Sequence, residues 1–261
     1  YLTAFFTNNH VSLRLCYFCL LLYRDNDMIR ILHTADWHLG QTFFGYDRTK
    51  EHEAFLDWLL REIRKNEIDA LIIAGDVFDV SNPSAASQRM YYEFIYRVTA
   101  ENPGLQIVIV AGNHDSAARL EAPLPLLQAM RTEVRGVVRK LNEGEIDYDH
   151  LAVELKNREG EVEVLCMAVP FLRQGDYPVV ETEGNPYMEG VRELYTQLLQ
   201  RLWARRKTNQ AILAIGHLQA TGSEIAEKDY SERTVIGGLE CVSPDTFSEK
   251  IAYTALGHIH K

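Results

Sequence analysis

Five times along this chain, a short apolar run ends in side chains that can ligate a metal ion. The runs are residues 29–32, 70–74, 105–111, 211–215 and 251–256. The motifs that follow them are Asp36-Trp37-His38, Gly75-Asp76-Val77-Phe78-Asp79, Gly112-Asn113-His114-Asp115, Gly216-His217 and Gly257-His258-Ile259-His260. A buried strand fixes the backbone, and the loop at its carboxyl end is free to aim side chains at a common point. Strand then ligand, repeated in this way, restricts the chain to an open α/β architecture with one site assembled at its strand ends.

Carboxylate, imidazole and amide oxygen form a mixed donor set suited to Mn, Fe or Zn, whereas an all-oxygen set would point to Mg or Ca. No cysteine occurs in the motifs, which argues against a structural zinc site. Each motif alone has a bland reading: Asp-x-His as a turn with a capping Asp, and Gly-Asn-His-Asp as a tight turn whose Gly and Asn tolerate positive φ. Five in order, each at the end of an apolar run, point instead to a two-metal phosphoesterase site.

The motifs and their flanking strings (residues 31–41, 74–79, 110–116, Pro170-Phe171-Leu172-Arg173 and 255–260) resemble the calcineurin-like metallophosphoesterases. Within that superfamily they resemble the SbcD-type nuclease subunits, over residues 28–261. The resemblance implies a two-sheet α/β sandwich flanked by helices. It also implies that Asp36, His38, Asp76 and His260 hold one cation, and that Asp76, Asn113, His217 and His258 hold a second, with Asp76 shared. Two cations so placed clamp the non-bridging oxygens of a phosphate. His114 is the implied catalytic residue, stabilising the transition state or protonating the leaving oxygen, as an imidazole can near neutral pH. Asp79 resembles a group that orients a ligand histidine. Relatives from other domains of life commonly carry a second catalytic histidine there, so a two-histidine mechanism is not carried over. Asp115 reads as a turn or cap residue. His33 reads as a satisfied core histidine, and His10, His52 and His150 as surface residues.

The substrate is less constrained than the metal site, because the cations engage only a phosphate. The resemblance selects DNA, with Mn²⁺-dependent exonuclease and endonuclease activity on ends and hairpins in repair, recombination and replication. It implies a homodimer and a partner, an SbcC-type coiled-coil ATPase. A small-molecule phosphodiesterase and a non-catalytic scaffold are the alternatives. The net charge of −10 is unhelpful for holding DNA by charge alone, so basic surface is expected to be local or to come from the partner.

A chain of 261 residues, 46% hydrophobic, can bury a substantial core as one α/β domain. Cys16, Cys19, Cys166 and Cys241 are irregularly spaced and suggest no disulfide framework, which makes a reducing, cytoplasmic setting the default. The apolar stretch at 11–23 is too short to span a bilayer and no small-residue cleavage site follows it; because Met28 stands immediately before the first strand, residues 1–27 are expected to be upstream sequence read in frame or a disordered extension. Residues 28–261 are expected to form the nuclease domain. Against SbcD-type proteins it reads as incomplete, stopping before the last strands of the second sheet, a capping domain and the segment that docks on the ATPase.

Between the motifs, residues 50–66 place Phe55, Leu59 and Ile63 at helical spacing. Residues 84–101 form a second predicted helix, with Met90, Phe94, Ile95 and Val98 inward and Tyr91, Tyr92 and Tyr96 left over; core packing is the first reading of that aromatic stripe, and the resemblance makes the three tyrosines candidates for a homodimer contact. A hairpin is expected at 151–155 and 161–169 around Asn157-Arg158-Glu159-Gly160, opening a second sheet. Residues 191–206 are a further helix, ending in a basic run (Arg201, Arg205, Arg206, Lys207) that suits a helix C-terminus.

Overall fold

A computed structural model describes the backbone of residues 12–16 and 19–23, and residues 29–142, 144–220 and 242–258 in full. In chain order the strands are β1 (Ser12–Cys16), β2 (Cys19–Tyr23), β3 (Ile31–Thr34), β4 (Thr42–Phe43), β5 (Tyr46–Asp47), β6 (Ala70–Ala74), β7 (Gln106–Val110), β8 (Thr132–Arg135), β9 (Ala152–Lys156), β10 (Val162–Ala168), β11 (Ala211–His217) and β12 (Tyr253–Gly257). The helices are α1 (Thr49–Lys65), α2 (Ala85–Glu101), α3 (Ala117–Glu121), α4 (Leu124–Ala129) and α5 (Pro186–Arg205).

One sheet has the order β1-β2-β3-β6-β7-β8 and a second the order β12-β11-β10-β9. Strands β3, β6, β7 and β8 run parallel, as do β10, β11 and β12. The strands β1 and β2 pair antiparallel with each other, and β2 pairs antiparallel with β3.

Period-two alternation divides each strand between two buried faces. Ala70, Ile72, Ala74, Val108 and Val110 of the first sheet meet Val164, Cys166, Ala168, Leu213 and Ile215 of the second in a layer between the sheets. The alternate residues Leu71, Ile73, Ile107 and Ile109 face Leu56, Leu59, Ile63, Tyr91, Phe94, Ile95 and Val98 of α1 and α2. On the far side, Leu165, Met167, Ile212 and Ala214 meet Val191, Leu194, Tyr195, Leu198 and Leu202 of α5. The result is the expected two-sheet sandwich with helices outside. Burial on both faces is why these strands read as continuous apolar runs. Crossovers of one hand that step across the sheet in one direction place α1 and α2 on the same face, leaving the other for the second sheet.

Local signals set the helix ends. The Ser84 hydroxyl accepts from the Ser87 backbone N–H at 3.1 Å and caps α2. The Asn185 side chain accepts from the N–H groups of Tyr187 and Met188, at 2.9 and 3.2 Å, so α5 begins at Pro186, earlier than the expected Val191. Proline in the first turn loses nothing, since its missing N–H would be unpaired there. The hairpin β9–β10 turns as expected, with Asn157 Oδ1 accepting from the N–H groups of Glu159 and Glu161.

Of the two readings of the α2 tyrosines, the structure selects the core for Tyr91, while the surface reading of His52 and of His150 is corrected, the His150 side chain being buried beside Glu121. Tyr91 is fully buried against Phe78 and Tyr92, because positions 91, 94, 95 and 98 form the inner stripe of α2; Tyr96 stays exposed. His52 is buried, because it stands one helical turn before Leu56 on the inner face of α1. His10 lies outside the described residues. No helix among the described residues is long and apolar enough to cross a membrane.

His33 is a core residue, as expected, and it ties the two sheets together: its Nδ1 lies 3.0 Å from the Tyr253 hydroxyl of β12. Burial lowers its pKa to about 4, with the Asp36 charge opposing. The unfolded chain therefore takes up this proton first as the pH falls. Stability from the neutral ring is whole above the ordinary value of 6.5 and is lost progressively towards pH 4, by about 3 kcal/mol. Urea midpoints measured across this window are expected to fall less in His33→Gln than in the wild type. An equal fall in both would assign the acid lability to other groups.

Candidate metal centre

The loops after β3, β6, β7, β11 and β12 meet at the carboxyl ends of the two sheets, and the first two run side by side beyond their strands. The N–H groups of Asp36, His38 and Leu39 donate to the carbonyls of Gly75, Asp76 and Val77, each at 3.0 Å. This short extension of the ladder holds Asp36, His38 and Asp76 in register. All three have left-handed backbones, with φ of 56°, 45° and 50°, and His258 has φ of 96°. Such conformations are costly for residues with a Cβ and concentrate where geometry is imposed by function.

Asp76 is at the centre. Its Oδ1 accepts from the His114 backbone N–H at 2.9 Å, which turns Oδ2 towards two imidazoles. Oδ2 lies 3.7 Å from His38 Nε2 and 3.2 Å from His217 Nε2. Burial opposes ionisation of this carboxyl, but the His217 and His38 rings and the His114 N–H outweigh it, and Asp76 is held well below the usual carboxylate range. For His217, burial lowers the pKa and the Asp76 charge raises it further, leaving it at about 9.

Two donor groups share that carboxylate. His38, Asp76 and His114 offer ligand atoms within 4.8 Å of one another, and so do Asp76, His217 and His258. His217 Nδ1 donates to the Ala74 carbonyl at 2.8 Å, which turns Nε2 inward. That nitrogen lies 3.0 Å from Asn113 Oδ1, and His258 Nδ1 lies 2.9 Å from the same oxygen. Without metal, N–H groups on the two rings can donate to this oxygen; the same convergence of one amide oxygen and two imidazole nitrogens is a metal-ligand arrangement once the protons leave. Carboxylate, amide oxygen and imidazole within 4.8 Å of one another fit a divalent cation of the borderline type.

Supporting contacts aim the donors. Asp79 Oδ1 is 3.3 Å from His38 Nδ1, the ring it was expected to orient, and the Asp79 carbonyl accepts from His114 Nδ1 at 2.8 Å. The Asp36 carboxylate accepts from the His258 backbone N–H at 2.9 and 3.2 Å, joining β3 to β12. Asp36, Asn113, His114 and His258 are half-buried and open to solvent, while His38, Asp76 and His217 are buried. Seven of the eight candidate site residues thus come together, and the eighth, His260, lies outside the described residues.

Asp115 does more than cap a turn. Its buried carboxylate accepts from the N–H groups of Gly112, Phe78 and Val77 at 2.9, 3.0 and 3.2 Å, clamping the loop after β6 to the loop after β7. Its place beside Asn113 and His114 was the only signal in the sequence. Gly112 is required by close approach, since a Cβ there would collide with the carboxylate and N–H of Asp76. The basic run of α5 is occupied structurally: Arg201 lies over the Tyr148 ring, Arg205 pairs with Asp149, and Arg206 lies over Trp203.

The sequence profile of the calcineurin-like phosphoesterases matches residues 29–261. Among curated proteins, the SbcD subunit of nuclease SbcCD from Rhodobacter capsulatus is 39% identical over 240 residues, which cover 89% of this chain and 58% of that protein. Proteins of the same name from Escherichia coli K12 and Bacillus subtilis are 33% and 29% identical, covering 89% of this chain and 56% and 57% of their own lengths. The chain spans a little over half the length of these relatives. Because the profile begins at the threshold of β3 and takes in every loop that supplies the two donor groups, the chain belongs to the calcineurin-like phosphoesterase family.

Proposed function

We propose that this chain carries the catalytic site of a metal-dependent DNA nuclease acting on ends and hairpins, in a cytoplasmic complex with an SbcC-type ATPase. The observation that carries the reading is the pair of donor groups built around one carboxylate, Asp76, in a chain whose relatives are named nuclease subunits. Asp36, His38 and Asp76, with His260 two residues beyond His258, would hold one cation. Asp76, Asn113, His217 and His258 would hold the other. Mn²⁺ is the ion proposed for both. When bound, such a pair supplies Lewis acidity to the phosphate and acidifies a water.

The protein's own groups have separate tasks. The Ala74 carbonyl fixes the His217 ring by a hydrogen bond, and the Asp79 carboxylate, 3.3 Å from His38 Nδ1, biases the His38 ring, so both Nε2 atoms face the site. His114 stands in the geometric donor group with His38 and Asp76, but its Nδ1 is engaged by the Asp79 carbonyl, and we give its remaining nitrogen, Nε2, to the substrate and not to a cation. We assign it the proton that the leaving ribose oxygen takes up as the P–O bond breaks and the water oxygen joins phosphorus. Half-buried Tyr92 and exposed Tyr96 on α2 are the remaining candidates, of the three tyrosines, for a homodimer contact.

The test is cleavage of an end-labelled DNA hairpin with Mn²⁺. His114→Ala is expected to lower kcat about 10²-fold while leaving bound metal unchanged. Cleavage at the wild-type rate by a fully loaded His114→Ala protein would remove His114 from the chemistry. The net charge of −10 favours a second reading, a small-molecule phosphodiesterase. Turnover of bis-p-nitrophenyl phosphate without any cleavage of DNA would select it.

A further inference from the structure

The string Pro170-Phe171-Leu172-Arg173 follows β10 and has no part in the donor groups, yet it is built against them. The Phe171 backbone N–H donates to the Ala111 carbonyl at 2.8 Å, just before the Gly112-Asn113 turn. Its ring centroid lies 6.2 Å from that of His217 and 6.4 Å from that of His258. The guanidinium carbon of Arg173 lies 5.2 Å from the Phe171 centroid. A tight turn holds the backbone here: the Arg173 N–H donates to Asp176 Oδ2 at 2.8 Å, and the Asp176 N–H returns to the Arg173 carbonyl at 2.9 Å. Asp176 is thus engaged by the backbone. Among the described residues no carboxylate lies within ion-pair distance of the exposed Arg173 guanidinium, in contrast to Arg205 of α5.

An acidic chain therefore presents a stacked, unneutralised cation one aromatic ring beyond the imidazoles of the second donor group. Rooted beside the second donor group and not within it, the exposed guanidinium is available to a phosphate neighbouring the one the donors would hold. A planar guanidinium steadied on a ring is preorganised for two-point hydrogen bonding to phosphate oxygens. We propose that Arg173 binds the phosphate adjacent to the scissile one, with Phe171 as its platform, and so selects polynucleotides over small phosphodiesters at this site. The inference rests on the polynucleotide reading given above.

Binding of a short fluorescein-labelled single strand, followed by anisotropy over a salt series with Ca²⁺ replacing Mn²⁺, tests it directly. One phosphate contact contributes about 0.7 to the slope of log K against log salt on a single strand. Arg173→Ala is expected to reduce the slope by about that amount and to weaken low-salt binding roughly five- to tenfold. The ratio of kcat/KM on DNA to that on bis-p-nitrophenyl phosphate, which has no neighbouring phosphate, is expected to fall in step through KM. Arg173→Lys keeps the charge but loses the stacked fork and is expected to restore the slope while recovering only part of the affinity. An unchanged slope and ratio in Arg173→Ala, with wild-type cleavage intact, would overturn the assignment alone. A wild type that neither binds nor cuts DNA while turning over the small ester would overturn the polynucleotide reading, and this inference with it.

Discussion

Asp76→Asn is expected to empty both donor groups and lower phosphodiester turnover by more than about 10³-fold while the fold persists. The substitution isolates charge from shape. Asparagine tolerates the left-handed backbone that Asp76 adopts, and its side-chain oxygen can still accept from the His114 N–H. What disappears is the single anion lying between His38 and His217. Loss of one preorganised electrostatic contact commonly costs 10² to 10³ in rate, and Asp76 serves both proposed cations, so the effect should exceed about 10³. Metal content by plasma spectrometry, circular dichroism and turnover of bis-p-nitrophenyl phosphate check the three parts separately. Two tightly held cations per chain in Asp76→Asn, or a rate within about tenfold of wild type, would show that Asp76 does not join the two groups.

Asp115→Ala should be among the most destabilising single substitutions in the site, at about 3–5 kcal/mol. It strips the partner from three N–H groups, those of Val77, Phe78 and Gly112, in a place water does not reach. Hydrogen bonds to a charged acceptor contribute about 1.5–3 kcal/mol each, and a buried donor left unpaired costs about 1–3 kcal/mol, with partial relaxation limiting the sum. Burial pushes the Asp115 carboxyl up and the three N–H groups oppose it. Asp115→Asn keeps one acceptor oxygen and should lose less. Urea denaturation of the three proteins measures the series, and a loss under about 1 kcal/mol in Asp115→Ala would mean that the two loops hold their positions without the clamp.

Asp76, Asp115 and Tyr91 differ in how far the sequence revealed them. Asp76 was legible because a donor at the end of an apolar run has few other reasons to recur in that setting. Tyr91 carried two readings, core or dimer contact, because an aromatic-rich helix offers more than one apolar stripe, and packing against Phe78 selects the stripe containing residues 91, 94, 95 and 98. Asp115 lay inside a motif already recognised, but two of its three partners are 37 and 38 residues away in sequence, so nothing local distinguished a cap from a clamp. Arg173 was visible as part of a string without a stated task, and its position over Phe171 supplies one.

By itself the sequence determined the α/β class, the strand-then-donor order and the residue types of the metal centre, because strand periodicity and ligand chemistry are written locally. Only the tertiary structure decided which nitrogen of each histidine faces inward, that Oδ2 of Asp76 is the shared atom, and that Asp36 and His258 are tied across the two sheets. Those outcomes depend on how two separately formed sheets register against each other, and contacts between residues as distant as 36 and 258 are set by the packing of the layer between them.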